Sequence, residues 1–267
     1  MDVAFADPQA NRDRMERWIK EAAGAGAALV VFPECALCGY CFESLQEAWQ
    51  WAEPIPGPST EKIVELCRRI GIHVAFGMLE RTESQLFNAC ALVGPDGVVG
   101  VYRKIHLPYL GVDRFATPGD RPFGVFRVGP ARVGMHICYD GSFPESARVM
   151  ALAGAEVVLL PTNWPPGAEN TAKYLPNARA LENHVYFAAV NRVGEERGFR
   201  FIGRSRIVDP TGETLAEAGD SEEKLLVAEA NLEFARTKRI VRVPGKHIID
   251  RFADRRPEMY RPIVESN

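Results

Sequence analysis

The sequence lacks any apolar run close to the roughly 18 residues that a membrane-spanning helix requires. Its longest apolar runs, residues 27–32 and 157–160, have the length of buried strands. Residues 1–7 also lack the basic start and the long apolar middle of a secretory signal. We therefore expect a cytoplasmic protein without a membrane anchor.

The sequence also lacks a large excess of one charge. It has 32 lysines and arginines and 35 aspartates and glutamates, for a net charge of −3. Binding to nucleic acid or anionic lipid would need local basic patches, so neither is an expected partner. No stretch has the composition of a linker or a low-complexity tract. Residues 1–267 are therefore expected to form a single domain.

Cysteines are few and lack the context of a disulfide framework. The six are Cys35, Cys38, Cys41, Cys67, Cys90 and Cys138. Without a secretory signal they are expected to be thiols. The first three form a Cys-x2-Cys-x2-Cys run, which is an alternative indication of an iron–sulfur or zinc protein. A fourth ligand would have to be Cys67 or Cys90, both inside patterned elements, so we favour thiols lining a loop and no bound metal.

Helical and strand patterns alternate along the chain. Helices are predicted around residues 15–23, 59–70, 142–153 and 171–183, and strands around residues 27–32, 73–79, 88–93, 98–103, 132–137, 157–160 and 186–191. Two hairpin turns are predicted at residues 94–97 and 209–212. Ser142 and Glu145 have the spacing of a capping box. This order predicts an α/β fold of mixed sheets covered by helices.

Three reactive side chains each follow an apolar run: Glu34, Lys104 and Cys138. Alone, such a carboxylate or amine is usually a solvated charge, and such a cysteine a small buried residue. Together they suit a thiol nucleophile, which needs a base and a positive charge beside it. The turn after the strand would also aim backbone N–H groups at a developing oxyanion. The combination favours acyl transfer.

The sequence resembles the carbon–nitrogen hydrolase family, or nitrilase superfamily, whose members carry a Glu-Lys-Cys triad. Three segments match its motifs in order: Phe32-Pro33-Glu34, residues 102–108, and Cys138-Tyr139-Asp140. The similarity extends over nearly the whole chain. It implies a four-layer α-β-β-α sandwich of two mixed sheets, assembled as a homodimer or larger homo-oligomer, with no metal or organic cofactor.

The resemblance also implies roles for the three residues. Glu34 would be the general base for Cys138, whose thiolate would attack an amide carbonyl or a nitrile carbon. Lys104 and the backbone N–H of Tyr139 would stabilise the tetrahedral intermediate. After ammonia or an amine leaves, Glu34 would activate water to hydrolyse the thioester.

The match is imperfect at one acidic position. Many members have a further glutamate after the lysine that helps to position substrate, whereas here the only acid between Lys104 and Gly119 is Asp113. Asp113 is therefore a candidate substrate-positioning residue. The alternative is an ion pair with Arg114 or another base. Glu145 is another nearby acid.

The amino terminus departs further from the family pattern. Family members generally begin with a buried strand before a segment like residues 2–14, and this chain starts where that strand should have ended. Either the true start lies upstream of Met1, or residues 3–6 supply a shortened strand. Because a lost interior strand leaves neighbouring backbone groups unpaired, we expect a fragile product that upstream residues would stabilise.

Several residues near the motifs are candidates for contacting substrate. Tyr139 and Asp140 follow the nucleophile where true nitrilases typically have tryptophan and glutamate, which favours a small amide or N-carbamoyl compound over a nitrile. Aromatic candidates for the pocket wall are Trp164, Tyr109, Tyr40 and Phe143, and Asn163 offers a polar contact. Recognition of a carboxylate would need an arginine, for which Arg179 and Arg204 are candidates.

Two alternative hypotheses assign the chain another mechanism or no activity. His106 or His136 would be the base for Cys138 in a papain-like arrangement, although such peptidases rarely carry the other two motifs. A catalytically inactive scaffold is the alternative outside enzymes. Occupation of all three triad positions disfavours it.

Overall fold

The computed structural model describes residues 1–265 and contains two main sheets. The first sheet has four strands in the order β1 (Leu29–Val31), β2 (His73–Arg81), β3 (Leu86–Gly94) and β4 (Gly97–Arg103). β1 runs parallel to β2, and the other neighbours are antiparallel. The tight turn predicted between β3 and β4 is present, since Gly94 pairs with Gly97.

The second sheet has six strands. Along the chain they are β5 (Val125–Val128), β6 (Ala131–Met135), β7 (Val157–Thr162), β8 (Tyr186–Asn191), β11 (Arg206–Val208) and β12 (Thr214–Glu217). In space the order is β12-β11-β8-β7-β6-β5, with β6, β7 and β8 parallel and the outer pairs antiparallel. Two small hairpins lie outside both sheets: β9 (Glu195–Glu196) with β10 (Phe199–Arg200), and β13 (Arg239–Val243) with β14 (His247–Asp250).

Six α-helices accompany the sheets in residues 1–265. They are α1 (Pro8–Gly24), α2 (Leu45–Trp49), α3 (Pro58–Ile70), α4 (Pro144–Leu152), α5 (Glu169–Asn183) and α6 (Leu232–Arg236). α1 begins where the Asp7 side chain accepts the Ala10 N–H at 2.9 Å. α3 ends at Gly71, whose φ of +80° is the left-handed conformation that glycine adopts at low cost. None of these helices is long and apolar enough to cross a membrane.

The layers are defined by three apolar clusters. Met15 of α1 and Leu66 of α3 pack with Phe76 on the outer face of the first sheet. α4 and α5 pack in the same way on the second sheet. Between the sheets, Leu92 and Leu159 belong to one buried cluster. The order helix, sheet, sheet, helix confirms the predicted four-layer sandwich. Each fully buried side chain of this size contributes about 1.5–3 kcal/mol.

The amino-terminal segment does not form a strand. Residues 3–6 pair with neither sheet, and only Asp2 forms an isolated bridge, with Val193. The shortened substitute strand is therefore not formed. Within residues 1–265, β1 is the edge of its sheet, and a cleft of about 670 Å³ runs beside it, lined by residues 27–33, 186–191 and 224–230.

The predicted capping box before α4 was wrong. Ser142 ends a short 3-10 helix, Cys138–Ser142, so the residue that precedes α4 is Phe143, which has no capping side chain. Pro144 occupies the first helical position, where a missing N–H costs nothing. The single proton of the Ser146 hydroxyl is shared between the carbonyls of Asp140, at 2.9 Å, and Phe143, at 2.8 Å.

Candidate active site

Cys138 lies on the sharp turn predicted between strand and helix. β6 ends at Met135, and Cys138 is the first residue of the 3-10 helix, with a φ of +46°. A non-glycine residue in this left-handed conformation costs about 1–2 kcal/mol, which the surrounding contacts must offset. The turn is held where Asp140 Oδ2 accepts the Ile137 N–H at 3.0 Å.

Lys104 follows β4 and reaches two carboxylates at once. Its Nζ lies 2.7 Å from Glu34 Oε1 and 2.6 Å from Asp113 Oδ2. The side chains of Lys104, Glu34 and Asp113 are all 0% exposed. Asn88 of β3 completes the cluster, because its Nδ2 donates to Glu34 Oε1 at 2.7 Å and to Asp113 Oδ1 at 2.8 Å.

The carboxylates keep Lys104 charged. Burial opposes its protonation, but the negative charges of Asp113 and Glu34 outweigh this and raise its pKa well above the ordinary value. For Glu34 the balance runs the other way: burial raises its pKa, and the opposing effect of Lys104 does not cancel the shift. Lys104 is thus a fixed cation, and Glu34 a carboxylate with raised affinity for a proton.

The Cys138 thiol is protonated at rest. Burial and the nearby charge of Glu34 raise its pKa to about 12, while Lys104 lowers it. The Thr162 hydroxyl, which has no hydrogen-bond partner in the described residues, and the Asn163 backbone also lower the thiol pKa. A thiol in this setting needs a base at the moment of reaction, and Glu34 is the carboxylate whose charge it senses most strongly.

Asp113 belongs to this cluster and is not paired with Arg114. Besides Lys104 and Asn88, it accepts a hydrogen bond from Tyr40 Oη at 2.7 Å. Arg114 instead donates to the carbonyls of Gly111 and Phe42. Tyr40 is buried and holds Asp113. Glu145 is exposed in the first turn of α4.

The substrate-contact candidates lie in different settings. Asn163 is buried, and neither its Oδ1 nor its Nδ2 has a partner within residues 1–265, which is also true of Glu34 Oε2. Tyr139 is 42% exposed and packs its edge against Phe143. Trp164 is buried in the cluster between the second sheet and α5. Tyr109 is 90% exposed, so the structure does not place it in a pocket wall.

The two arginine candidates have other partners. Arg179 donates to the carbonyls of Gly141 and Ser142 and pairs with Glu182, so it supports the end of the turn that carries Cys138. Arg204 pairs with Asp220 at the surface.

Neither histidine is arranged as a base for Cys138. His106 Nδ1 lies 2.7 Å from Asp140 Oδ1. His136 Nδ1 contacts Ser146 Oγ at 2.9 Å, and its ring packs its edge on Phe187. Burial lowers the pKa of His136 to about 4.

The cysteine run packs as apolar side chains. Cys35 and Cys38 are fully buried in a cluster with Phe42 and Leu79, and Cys41 packs beside it. In the described part of the chain, no three histidine, cysteine, aspartate or glutamate side chains are grouped so as to hold a metal ion.

The sequence analysis did not identify Asn88 or Thr162 as site residues, and it did not predict the hydrogen bonds of Tyr40 and Asp140. Asn88 carried a signal, since it is the one amide within the apolar run from Leu86 to Val93. Asp140 is fully buried, which a position in a turn does not indicate.

In a comparison with known protein families, residues 2–240 match the carbon–nitrogen hydrolase family. A nitrilase of Pyrococcus abyssi is 42% identical over 264 residues, which cover 97% of this chain and 96% of that protein. An omega-amidase of Xenopus tropicalis is 38% identical over 84% of each chain. An N-carbamoylputrescine amidase of Solanum lycopersicum is 32% identical over 97% of this chain and 91% of that protein.

Solved structures share the fold. A crystal structure of an amidase from Nesterenkonia sp. matches with a TM-score of 0.80 and 26% identity, covering 98% of this chain and 93% of that one. A carbon–nitrogen hydrolase from Helicobacter pylori matches with a TM-score of 0.86 and 24% identity, covering 99% and 96%. At that identity, the second match is evidence of the fold alone.

Proposed function

Because this chain belongs to the carbon–nitrogen hydrolase family, a family of hydrolytic enzymes, we propose that it hydrolyses a small aliphatic primary amide or an N-carbamoyl compound through a thioester on Cys138. The observation that carries this proposal is the buried contact of Lys104 with Glu34, beside a thiol whose pKa responds to both charges. A base, a fixed cation and a nucleophile are what acyl transfer to sulfur requires.

The first half of the reaction forms the thioester. Glu34 accepts the thiol proton of Cys138 as sulfur attacks the carbonyl carbon, and the carbonyl oxygen becomes an oxyanion. Glu34 then returns the proton to the leaving nitrogen, the C–N bond breaks, and ammonia or an amine departs. The raised pKa of Glu34 suits both transfers, because a proton carrier works best with a pKa near the operating pH.

The oxyanion is stabilised by Lys104 and by the backbone N–H of Tyr139. Tyr139 is the second residue of the 3-10 helix that begins at Cys138, and the first N–H groups of a helix have no partner within it. Such preorganised donors contribute roughly 3–4 kcal/mol to the transition state of acyl transfer.

The second half consumes water. Glu34 removes a proton from water as its oxygen attacks the thioester, the C–S bond breaks, and Glu34 returns that proton to sulfur. The unpartnered Oε2 of Glu34 and the amide of Asn163 are the buried polar atoms that support a role in contacting substrate or this water.

The substrate class rests on the relatives and on the residues beside the nucleophile. The omega-amidase and the N-carbamoylputrescine amidase are named for amide and carbamoyl chemistry, whereas the Pyrococcus protein is named a nitrilase. Nitrile hydrolysis by the same three residues is therefore the second candidate.

The test is ammonia release from matched panels of short primary amides, N-carbamoyl amines, N-carbamoyl acids and nitriles. The proposal expects the highest kcat/KM among the amides or carbamoyl compounds. Nitriles as the best substrates would favour the second candidate. No release from any panel, by protein with a cooperative thermal transition, would contradict both.

A further inference from the structure

The Asp140 carboxylate has more hydrogen bonds than a turn needs. Oδ1 accepts the His106 N–H at 3.0 Å and lies 2.7 Å from His106 Nδ1. Oδ2 accepts from Tyr102 Oη at 2.7 Å and from the Ile137 N–H at 3.0 Å. The side chain is fully buried, so these four contacts are its hydrogen-bonding environment.

The partners of Asp140 belong to two segments that each carry a reacting side chain. Tyr102 and His106 lie two residues before and two residues after Lys104, and Ile137 directly precedes Cys138. In residues 1–265, every hydrogen bond between residues 102–106 and residues 137–140 uses this carboxylate. One buried carboxylate therefore bridges the segment that carries Lys104 and the segment that carries Cys138.

Asp140 acts as an anion. Burial alone would raise its pKa, but hydrogen bonds from His106 and Tyr102 outweigh burial, and its pKa is lowered. An ionised carboxylate only accepts hydrogen bonds, so the contact with His106 Nδ1 is an N–H donated to Oδ1. Hydrogen bonds to an ionised acceptor are about twice as strong as neutral ones.

Aromatic packing restrains the two side chains that contact Asp140. The His106 ring stacks on Phe143 with centroids 3.7 Å apart and an interplanar angle of 14°. Phe143 directly follows the 3-10 helix that carries Cys138, so the contact restrains His106 on its other side. Tyr102 stacks on Phe123 at 5.7 Å, which restrains its hydroxyl toward Asp140.

We propose that Asp140 is a positioning residue, which fixes Lys104 relative to Cys138 through Tyr102 and His106. This inference rests on the proposed roles of Lys104 and Cys138. Its consequence is that a change at Asp140 lowers kcat while KM stays nearly constant. A displacement of about 1 Å between reacting groups costs on the order of 100-fold in rate.

The test compares Asp140→Asn and Tyr102→Phe with Asp209→Asn. The asparagine keeps the shape of Asp140 but places an NH2 group against N–H and O–H donors. Phenylalanine removes only the hydroxyl of Tyr102, so it remains informative if Asp140→Asn does not fold. Asp209 is the matched control, because its carboxylate also accepts hydrogen bonds from backbone N–H groups, of Thr211 and Glu213, in a hairpin outside the site.

Two readouts separate positioning from stability. We expect kcat to fall about 100-fold in Asp140→Asn and about tenfold in Tyr102→Phe, with KM within a factor of three. The second readout is the rate of Cys138 alkylation by iodoacetamide at one fixed pH below the thiol pKa, followed by mass spectrometry of the Cys138 peptide. Displacing Lys104 raises the thiol pKa and lowers the thiolate fraction, so alkylation should slow by about tenfold.

The experiment separates failure of the inference about Asp140 from failure of the proposed function. If no substrate is turned over by the wild-type protein, the alkylation rates alone decide, since they need no substrate. Slower alkylation in both site variants, with the wild-type rate in Asp209→Asn, would support the inference. Lower melting temperatures with unchanged alkylation and unchanged kcat would overturn it.

Discussion

Lys104 and Asp113 form an ion pair inside the protein, with Nζ 2.6 Å from Oδ2 and both side chains excluded from solvent. Glu34 lies on the same ammonium, so two carboxylates share one cation. A lysine in this setting stays protonated, because losing its proton would leave two buried negative charges unpaired. Lys104 therefore supplies charge and does not serve as a base.

Replacing Asp113 by Asn should weaken both the fold and the reaction. The change removes one of the two charges that hold Lys104, and we expect kcat/KM to fall about 100-fold. The free energy of unfolding should fall by less than the roughly 3–5 kcal/mol of an uncompensated buried charge, because Glu34 still pairs with Lys104. Steady-state kinetics and urea titration check both. The control is Asp120→Asn, a half-exposed partner of Arg103, for which both losses should be small. Equal effects at Asp113 and Asp120 would contradict the account.

The acidic limb of the pH–rate profile should lie above the pKa of an ordinary glutamate. The proposed base, Glu34, accepts a proton only when ionised, and burial raises its pKa, so kcat/KM should fall as the pH drops below this raised value. The measurement is kcat/KM from pH 4 to 9. Glu34→Gln should lose at least about 100-fold in activity. Glu80→Gln, at another buried carboxylate, should leave the limb in place. A limb at the ordinary value would exclude Glu34 as the base.

Asn88→Ala should move that limb to still higher pH. The Asn88 amide donates to both Glu34 and Asp113, and its hydrogen bond lowers the Glu34 pKa. Without the amide, the protonated form of Glu34 is favoured further. Leaving buried acceptors without a donor costs about 1–3 kcal/mol. The pH–rate profile and thermal unfolding of the variant test this, and a limb displaced to lower pH would count against the assigned cluster.

His136 should make stability depend on pH between 6.5 and about 4. Burial lowers its pKa from 6.5 to about 4, so the unfolded chain binds more protons in this window. The free energy of unfolding therefore falls as the pH decreases through it, by about 3 kcal/mol in total. His136→Asn does not titrate there, so the wild-type advantage over this variant should shrink with acidification. An advantage independent of pH would refute the assignment.

Features set by neighbours along the chain could be predicted from the sequence, whereas contacts set by strand register could not. Strand periods and turn residues predicted most strands of the two main sheets and the turn at Cys138, because they depend on neighbours along the chain, whereas the division into two sheets was implied by the family resemblance. Asn88 meets Lys104 only because β3 and β4 pair with Ala89 opposite Arg103, which lets the Lys104 N–H donate to the Asn88 carbonyl at 2.8 Å. That register is a tertiary property.

The amino terminus and α4 show the same limit. Ser142 and Glu145 have capping-box spacing, but the 3-10 helix after Cys138 uses Ser142 and leaves Phe143 before α4. Residues 3–6 are apolar enough for a strand, yet they pair with neither sheet. In both places local propensity was overridden by the neighbouring structure.

The central claim is that the Cys138 sulfur is the nucleophile, and ammonia release by Cys138→Ala tests it most directly. The matched control is Cys41→Ala, at a partly buried cysteine in the loop after Glu34. On the best amide or carbamoyl substrate, the account predicts no release above the uncatalysed rate in Cys138→Ala and wild-type release in Cys41→Ala. Turnover that persists in folded Cys138→Ala would contradict it.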